Sequence, residues 1–198
     1  MKSIINKLVS ALIFSFYALC FSFAQDDGER IEFKSANPFS FYHIITDLEN
    51  QTPQKVFGVL KFPENVKHKN LPLVLGVAGS LAWADHHLEY LQMYRDMGLA
   101  TFELKSFTSR QITSTVGTQV EVTSAMMILD AYKALMVLSN DPRIDSDNIA
   151  ITGWSLGGSV ALFSAWNPIR YAITSHLKFK AHLPIYPPCI VQMESYEF

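Results

Sequence analysis

The stretch Asn148 to Trp166, "NIAITGWSLGGSVALFSAW", sets one serine between two glycines in Gly153-Trp154-Ser155-Leu156-Gly157. An apolar, strand-like "IAIT" precedes it, and a helix-compatible "SVALFSAW" follows. A serine hydroxyl is a weak nucleophile until a neighbouring base takes its proton. A Gly-x-Ser-x-Gly turn between strand and helix meets the geometric half of that need, because the tight bend lifts the serine oxygen clear of the sheet. Gly153 and Gly157 relieve crowding at such a bend, and Gly158 lets the new helix pack closely. The helix start offers unpaired N–H groups and positive dipole character where an oxyanion would form. The Leu156 N–H is one expected donor. The second is expected from the Gly79-Ser80 turn, with the Ser80 N–H as its donor. The competing reading is an ordinary strand-to-helix turn with a capping serine.

The chemical half of the need is harder to meet. On this kind of turn the partners follow the serine in the order acid, then histidine. After Ser155 there is no aspartate; the acids are Glu194 and Glu197, and the histidines, His176 and His182, precede both. His182 falls inside an expected strand and reads as a packed core group, and His176 lies in a polar connection. His86 and His87 are adjacent, so they are expected to face different directions, with neither zinc binding nor base action favoured. His43 and His68 read as surface groups.

The elements that would position these residues follow from patterning. Ile31 to Thr46, rich in Phe, Tyr and Ile, reads as a strand or a pair of strands, and Lys55 to Phe62 as another, ended by Pro63. Leu71 to Val77 is a continuous apolar run, as in a parallel strand covered on both faces. Asp85 to Met97 carries Leu88, Leu91, Met93 and Tyr94 at helical spacing, with Gly98 at its end. Leu99 to Leu104 is the next strand, and Ser106 to Thr118 a Ser/Thr-rich loop. A helix from about Glu121 to Ser139 has Ala125, Leu129, Tyr132, Leu135 and Met136 on its apolar face. Asn148 to Thr152, Leu156 to Ala165 and Ala181 to Tyr186 complete the series as strand, helix and strand. Alternating strands and helices imply an α/β domain with a largely parallel sheet. Sites in such sheets lie at the carboxyl ends of strands, so Gly79, Lys105 to Arg110, Ser155 and the segment after Tyr186 should share one edge.

Composition narrows the functional class. The chain has 198 residues, 49% hydrophobic and 17% charged, enough for one domain with a substantial core. A net charge of −2 gives no reason to expect nucleic acid as a partner. No phosphate-binding glycine loop ending in Gly-Lys-Ser/Thr occurs, and no Cys/His spacing suits zinc, so no metal site is expected. Residues 1–24 read as a signal peptide: Lys2 and Lys7, an apolar Leu8 to Phe21, then small residues up to Ala24. Export to the periplasm or the medium follows, with 25–198 as the mature domain and no stable membrane insertion after cleavage. Competing readings are a lipoprotein with Cys20 at the mature terminus and a retained anchor. After cleavage Cys189 alone remains, so no internal disulfide is expected.

"GWSLGGSVAL", "LVLGVAGSLAWAD", "MGLATFELKSFTSRQI" and "AYKALMVLSNDPRIDSDNIAITGWS" together resemble the dienelactone hydrolase family of α/β-hydrolases, over about Leu71 to Cys189. "SFTSRQ" and the closing "AHLPIYPPC" resemble it too. The resemblance implies an α/β-hydrolase fold and cleavage of a small-molecule ester or lactone through an acyl-enzyme, with no metal or organic cofactor. It makes Ser155 the nucleophile, and Leu156 with the Gly79-Ser80 turn the oxyanion donors. Founding members carry cysteine at the elbow; serine stands here, so Cys189 reads as a packing residue. Ala78-Gly79 occupies the place of the His-Gly pair of many relatives, and Lys105 stands where they often carry an acid. Arg110 could orient an anionic substrate or sit in a salt bridge. The resemblance also puts the acid and histidine after two further strands, beyond Phe198, so the chain reads as the N-terminal part of a serine hydrolase. The alternatives are an inactive α/β-hydrolase-like binding module, and a peptidase or thioesterase on the same scaffold.

Overall fold

A computed structural model describes residues 28–64 and 69–188. The signal-peptide reading of residues 1–24, and His68, Cys189, Glu194 and Glu197, lie outside the described residues.

Six strands form one sheet: β1 (Glu29–Ala36), β2 (Pro53–Lys61), β3 (Leu71–Val77), β4 (Ala100–Leu104), β5 (Ile144–Trp154) and β6 (His182–Ile185). Their spatial order is β1-β2-β4-β3-β5-β6. The β1–β2 and β2–β4 pairs are antiparallel, while β4, β3, β5 and β6 run parallel to one another. Parallel neighbours require crossovers, and helices supply them. These are α2 (Asp85–Asp96) between β3 and β4, α4 (Ser124–Leu138) between β4 and β5, and α5 (Leu156–Phe163) with α6 (Asn167–Ile173) between β5 and β6. A short α1 (Phe41–Thr46) and a one-turn α3 (Ser106–Ser109) fill the remaining connections. Among the described residues no helix is long and apolar enough to cross a membrane.

The core lies on both faces of the parallel part. Leu71, Leu73, Val74, Leu75 and Val77 are all buried, so the unbroken apolar run of β3 reflects cover from two sides. α4 is more enclosed than a one-faced amphipathic helix: Ala125 to Tyr132 are buried without interruption, and the Thr123 hydroxyl caps its start by accepting from the Met126 N–H at 3.2 Å. The helix is caught between the sheet and α5, which explains why its apolar residues exceed a single stripe.

Four local expectations are corrected. Phe41 to Thr46 is helical rather than strand: Pro38 follows β1, and the Ser40 N–H donates to His43 Nδ1 at 3.2 Å, pairing one of the free amides at the helix start. His43 is thus half-buried at a cap, not a plain surface group. The Ser/Thr-rich loop begins with the helical turn α3. α6, with Pro168 in its first turn, is an additional helix where a polar connection is expected.

Candidate active site

Four parallel strands place their carboxyl ends side by side: Val77 is in register with Leu104 and with Gly153, and Trp154 with Ile185. Gly79, Lys105, Ser155 and Tyr186 therefore do share one edge.

At that edge Ser155 joins β5 to α5 with φ 53° and ψ −114°. A side-chain-bearing residue adopts such a conformation at a cost of about 1–3 kcal/mol, recovered only where the surroundings enforce it. Here they do. A β-carbon on Gly153 would lie less than 3.0 Å from the Gly157 carbonyl, and one on Gly157 would meet the backbone of Val77 and Ala78 as closely. The Ser155 N–H donates to the Ile185 carbonyl at 3.1 Å, and the Ser159 N–H closes the first turn of α5 on the Ser155 carbonyl at 3.0 Å. Ser155 itself is half-buried.

The turn after β3 folds over this bend. The point where a β-carbon of Gly79 would sit is 3.2 Å from the Trp154 carbonyl oxygen, 3.7 Å from the Ser155 β-carbon and 3.9 Å from His87 Cε1. The Ala82 N–H donates to the Gly79 carbonyl at 3.0 Å and the Thr115 N–H to the Ser80 carbonyl at 2.9 Å, so the loop is held from both sides. The N–H groups of Ser80 and Leu156 donate to no protein acceptor among the described residues. With the helix start at Leu156, they are free to meet negative charge.

The other titratable groups fall into place around these. Among the described residues no imidazole bonds the Ser155 hydroxyl. His182 Nδ1 sits 2.9 Å from the Ala161 carbonyl and 3.1 Å from the Ser164 hydroxyl, a satisfied packed group whose imidazole burial holds below its ordinary range. His176 is exposed. His86 and His87 do not diverge as expected, for their ring centroids are 4.1 Å apart. The His87 ring is buried at 4% exposure, stacks on Trp154 at 4.6 Å and receives the Ala84 N–H on Nδ1 at 3.2 Å. His86 Nε2 lies 3.1 Å from the Tyr186 hydroxyl. Nothing local in the sequence brings those two together; the i to i+3 spacing of Ala84 and His87 was the one available signal for the capping bond.

Neither cation near the site faces it freely. Arg110 is salt-bridged to Asp130 at 2.7 Å, and Asp130 also accepts from the hydroxyls of Ser35 at 2.6 Å and Ser106 at 2.7 Å. This buried group ties β1, α3 and α4 together and leaves Arg110 nothing for a substrate. Lys105 pairs with buried Glu103 at 2.8 Å, which Lys61 also meets at 2.9 Å. Among the described residues no cluster of three His, Cys, Asp or Glu could hold a metal ion.

No protein-family model and no curated protein matches the sequence. Solved structures do match. Est1E from Butyrivibrio proteoclasticus, solved with ferulic acid, superposes with a TM-score of 0.51 at 19% identity, over 68% of this chain and 49% of its own. A dienelactone hydrolase-like promiscuous phosphotriesterase, P91 from metagenomic libraries, gives 0.41 at 18% identity, over 70% and 56%. Esterase 2 of Thermogutta terrifontis, phosphonylated by cyclosarin, gives 0.46 at 12%, over 70% and 47%. The chain spans about half the length of the solved chains it matches. Its architecture is the α/β-hydrolase fold.

Proposed function

We propose that this chain carries the nucleophile and oxyanion site of a dienelactone hydrolase-like serine hydrolase that cleaves a carboxylic ester or lactone. Ser155 Oγ attacks the acyl carbon, its proton passes through a base to the departing alcohol or enol oxygen as the acyl-enzyme forms, and water then hydrolyses that ester to the carboxylic acid and the free serine. The N–H groups of Leu156 and Ser80 receive the negative charge that develops on the carbonyl oxygen. One observation carries this reading: Ser155, at positive φ on a strand-to-helix bend, lies directly beside the Gly79 turn with two amide donors unspent. Fold likeness to esterases agrees with it. Among the described residues no imidazole bonds the Ser155 hydroxyl, so this reading calls for a base beyond those contacts.

A fluorophosphonate tests the reading, with imidazole added to the solution as a substitute base. The expected result is a single adduct on Ser155, mapped by peptide mass spectrometry, formed faster with imidazole and absent in Ser155→Ala. No adduct at Ser155 with imidazole present would overturn it. That outcome would favour the second reading, a binding module for small acyl ligands, which draws support from the lack of an imidazole at Ser155 among the described residues.

A further inference from the structure

We propose that His87 is a positioning residue that holds the Gly79–Ala84 turn against the Ser155 bend; the inference rests on the serine hydrolase reading above. His87 belongs to α2, yet its ring meets three different segments. Cε1 lies 3.9 Å from the space beside the Gly79 α-carbon, the same space that the Ser155 β-carbon bounds at 3.7 Å. One ring face stacks on Trp154, the residue before Ser155, with planes 26° apart. The Trp83 ring, from the turn itself, packs edgewise on both His87 and Trp154 at 5.9 Å and 6.2 Å. On the remaining side Nδ1 accepts the Ala84 N–H, which closes the far end of the turn onto the helix.

A capping bond alone would need only an acceptor, and ring packing alone would need only an aromatic ring. His87 supplies both from one rigid side chain. The acceptor role requires an unprotonated Nδ1, and therefore a neutral ring with its proton on Nε2. Burial favours that form: it holds the imidazole at about 4, with the neighbouring His86 adding to the effect. The other ionisable or charged groups around this packing are Tyr90, against Trp154 at 6.0 Å, and Lys105, over Trp83 at 5.4 Å. Among the described residues the turn is also tied by the Thr115 N–H on the Ser80 carbonyl, the Gln119 amide on the Ser80 hydroxyl and the Trp83 indole N–H on the Leu104 carbonyl at 3.0 Å. None of these three partners lies on β5, the strand that leads into Ser155. His87 thus joins the far end of the turn, through Ala84, to Trp154, the residue before the nucleophile.

Two variants separate the parts. His87→Phe keeps a ring and removes the acceptor; His87→Asn keeps an acceptor at the Nδ1 position and removes the ring. The expected result is that His87→Phe slows imidazole-assisted fluorophosphonate labelling of Ser155 by about tenfold or more, since small misplacements of reacting groups cost rate steeply. His87→Asn should restore labelling to within about threefold of the parent chain. Amide hydrogen exchange at Ala82 and Ala84, whose N–H groups donate to the Gly79 carbonyl and to His87, should speed up in His87→Phe and recover in His87→Asn when measured on the same proteins. Labelling and exchange both unchanged in His87→Phe would overturn the proposal. If the parent chain does not label at all, the hydrolase reading fails, and the exchange data alone still decide whether His87 holds the turn. If His87→Phe does not fold, a folded His87→Asn that labels more than tenfold slower than the parent would overturn it.

Discussion

Gly157 lies so close beneath the end of β3 that a β-carbon on it would come within 3.0 Å of the Val77 carbonyl. The start of α5 and the end of β3 are therefore in backbone contact, with no side chain between them. That contact sets the Gly79-Ser80 turn and the Ser155 bend side by side.

Gly157→Ala should disturb the site out of proportion to its size. The neighbours are backbone carbonyls of a central strand and cannot rotate away. Overpacking of this kind destabilises by about 1–3 kcal/mol. A lower urea midpoint with unchanged slope, together with slower labelling of Ser155, is the expected outcome. A variant as stable and as readily labelled as the parent would contradict the close approach.

The Arg110–Asp130 pair should matter for stability rather than for substrate. Asp130 is fully buried and accepts from two hydroxyls as well as from Arg110. Asp130→Ala strands a buried guanidinium, at a cost of about 3–5 kcal/mol. The double variant with Arg110→Ala should be less damaging than the two single losses added together, because the second change removes the stranded charge. Chemical denaturation of the three variants measures this, and full additivity would deny the coupling.

Much of this arrangement was legible from local pattern, and the parts that were not share a cause. The apolar run of β3, the α2 periodicity and the glycines around Ser155 each report a demand made by the chain immediately around them. Phe41 to Thr46 misled because its aromatic and β-branched composition suits a strand, while a cap at Ser40 and its place over α6 made it a helix. Arg110 and Asp130 stand twenty residues apart on separate elements, and no spacing rule pairs them. His87 was the most hidden: adjacent residues normally diverge, but here the helix start and the Trp154 ring turn both imidazoles toward one edge.

His87 also predicts an acid response. The unfolded chain takes up a proton at this side chain near 6.5, the folded chain only near 4. Between those values acid favours the unfolded state, so this group leaves stability intact above pH 6.5 and lowers it as the pH falls toward 4, by at most about 3 kcal/mol. His182, likewise held low by burial, acts in the same direction. Denaturation midpoints from pH 7 to 4 should decline less steeply in His87→Phe than in the parent. Parallel slopes would mean the ring is not buried in its neutral form.

Turnover offers the last test, and its logic runs against habit. With no imidazole bonded to the Ser155 hydroxyl among the described residues, the chain should hydrolyse p-nitrophenyl esters weakly. Rates should stay at or below the ~10³–10⁴-fold advantage over water that oxyanion contacts and binding alone provide. In that regime the serine and its base act as a unit, and removing a second member costs little once the first is missing. Ser155→Ala should therefore leave the weak rate nearly unchanged in plain buffer. With imidazole added, the parent should gain rate beyond the solution background and Ser155→Ala should not. A large loss on Ser155→Ala in plain buffer would instead mean that a base already reaches Ser155, and mapping it would then require only the histidine that each further substitution silences.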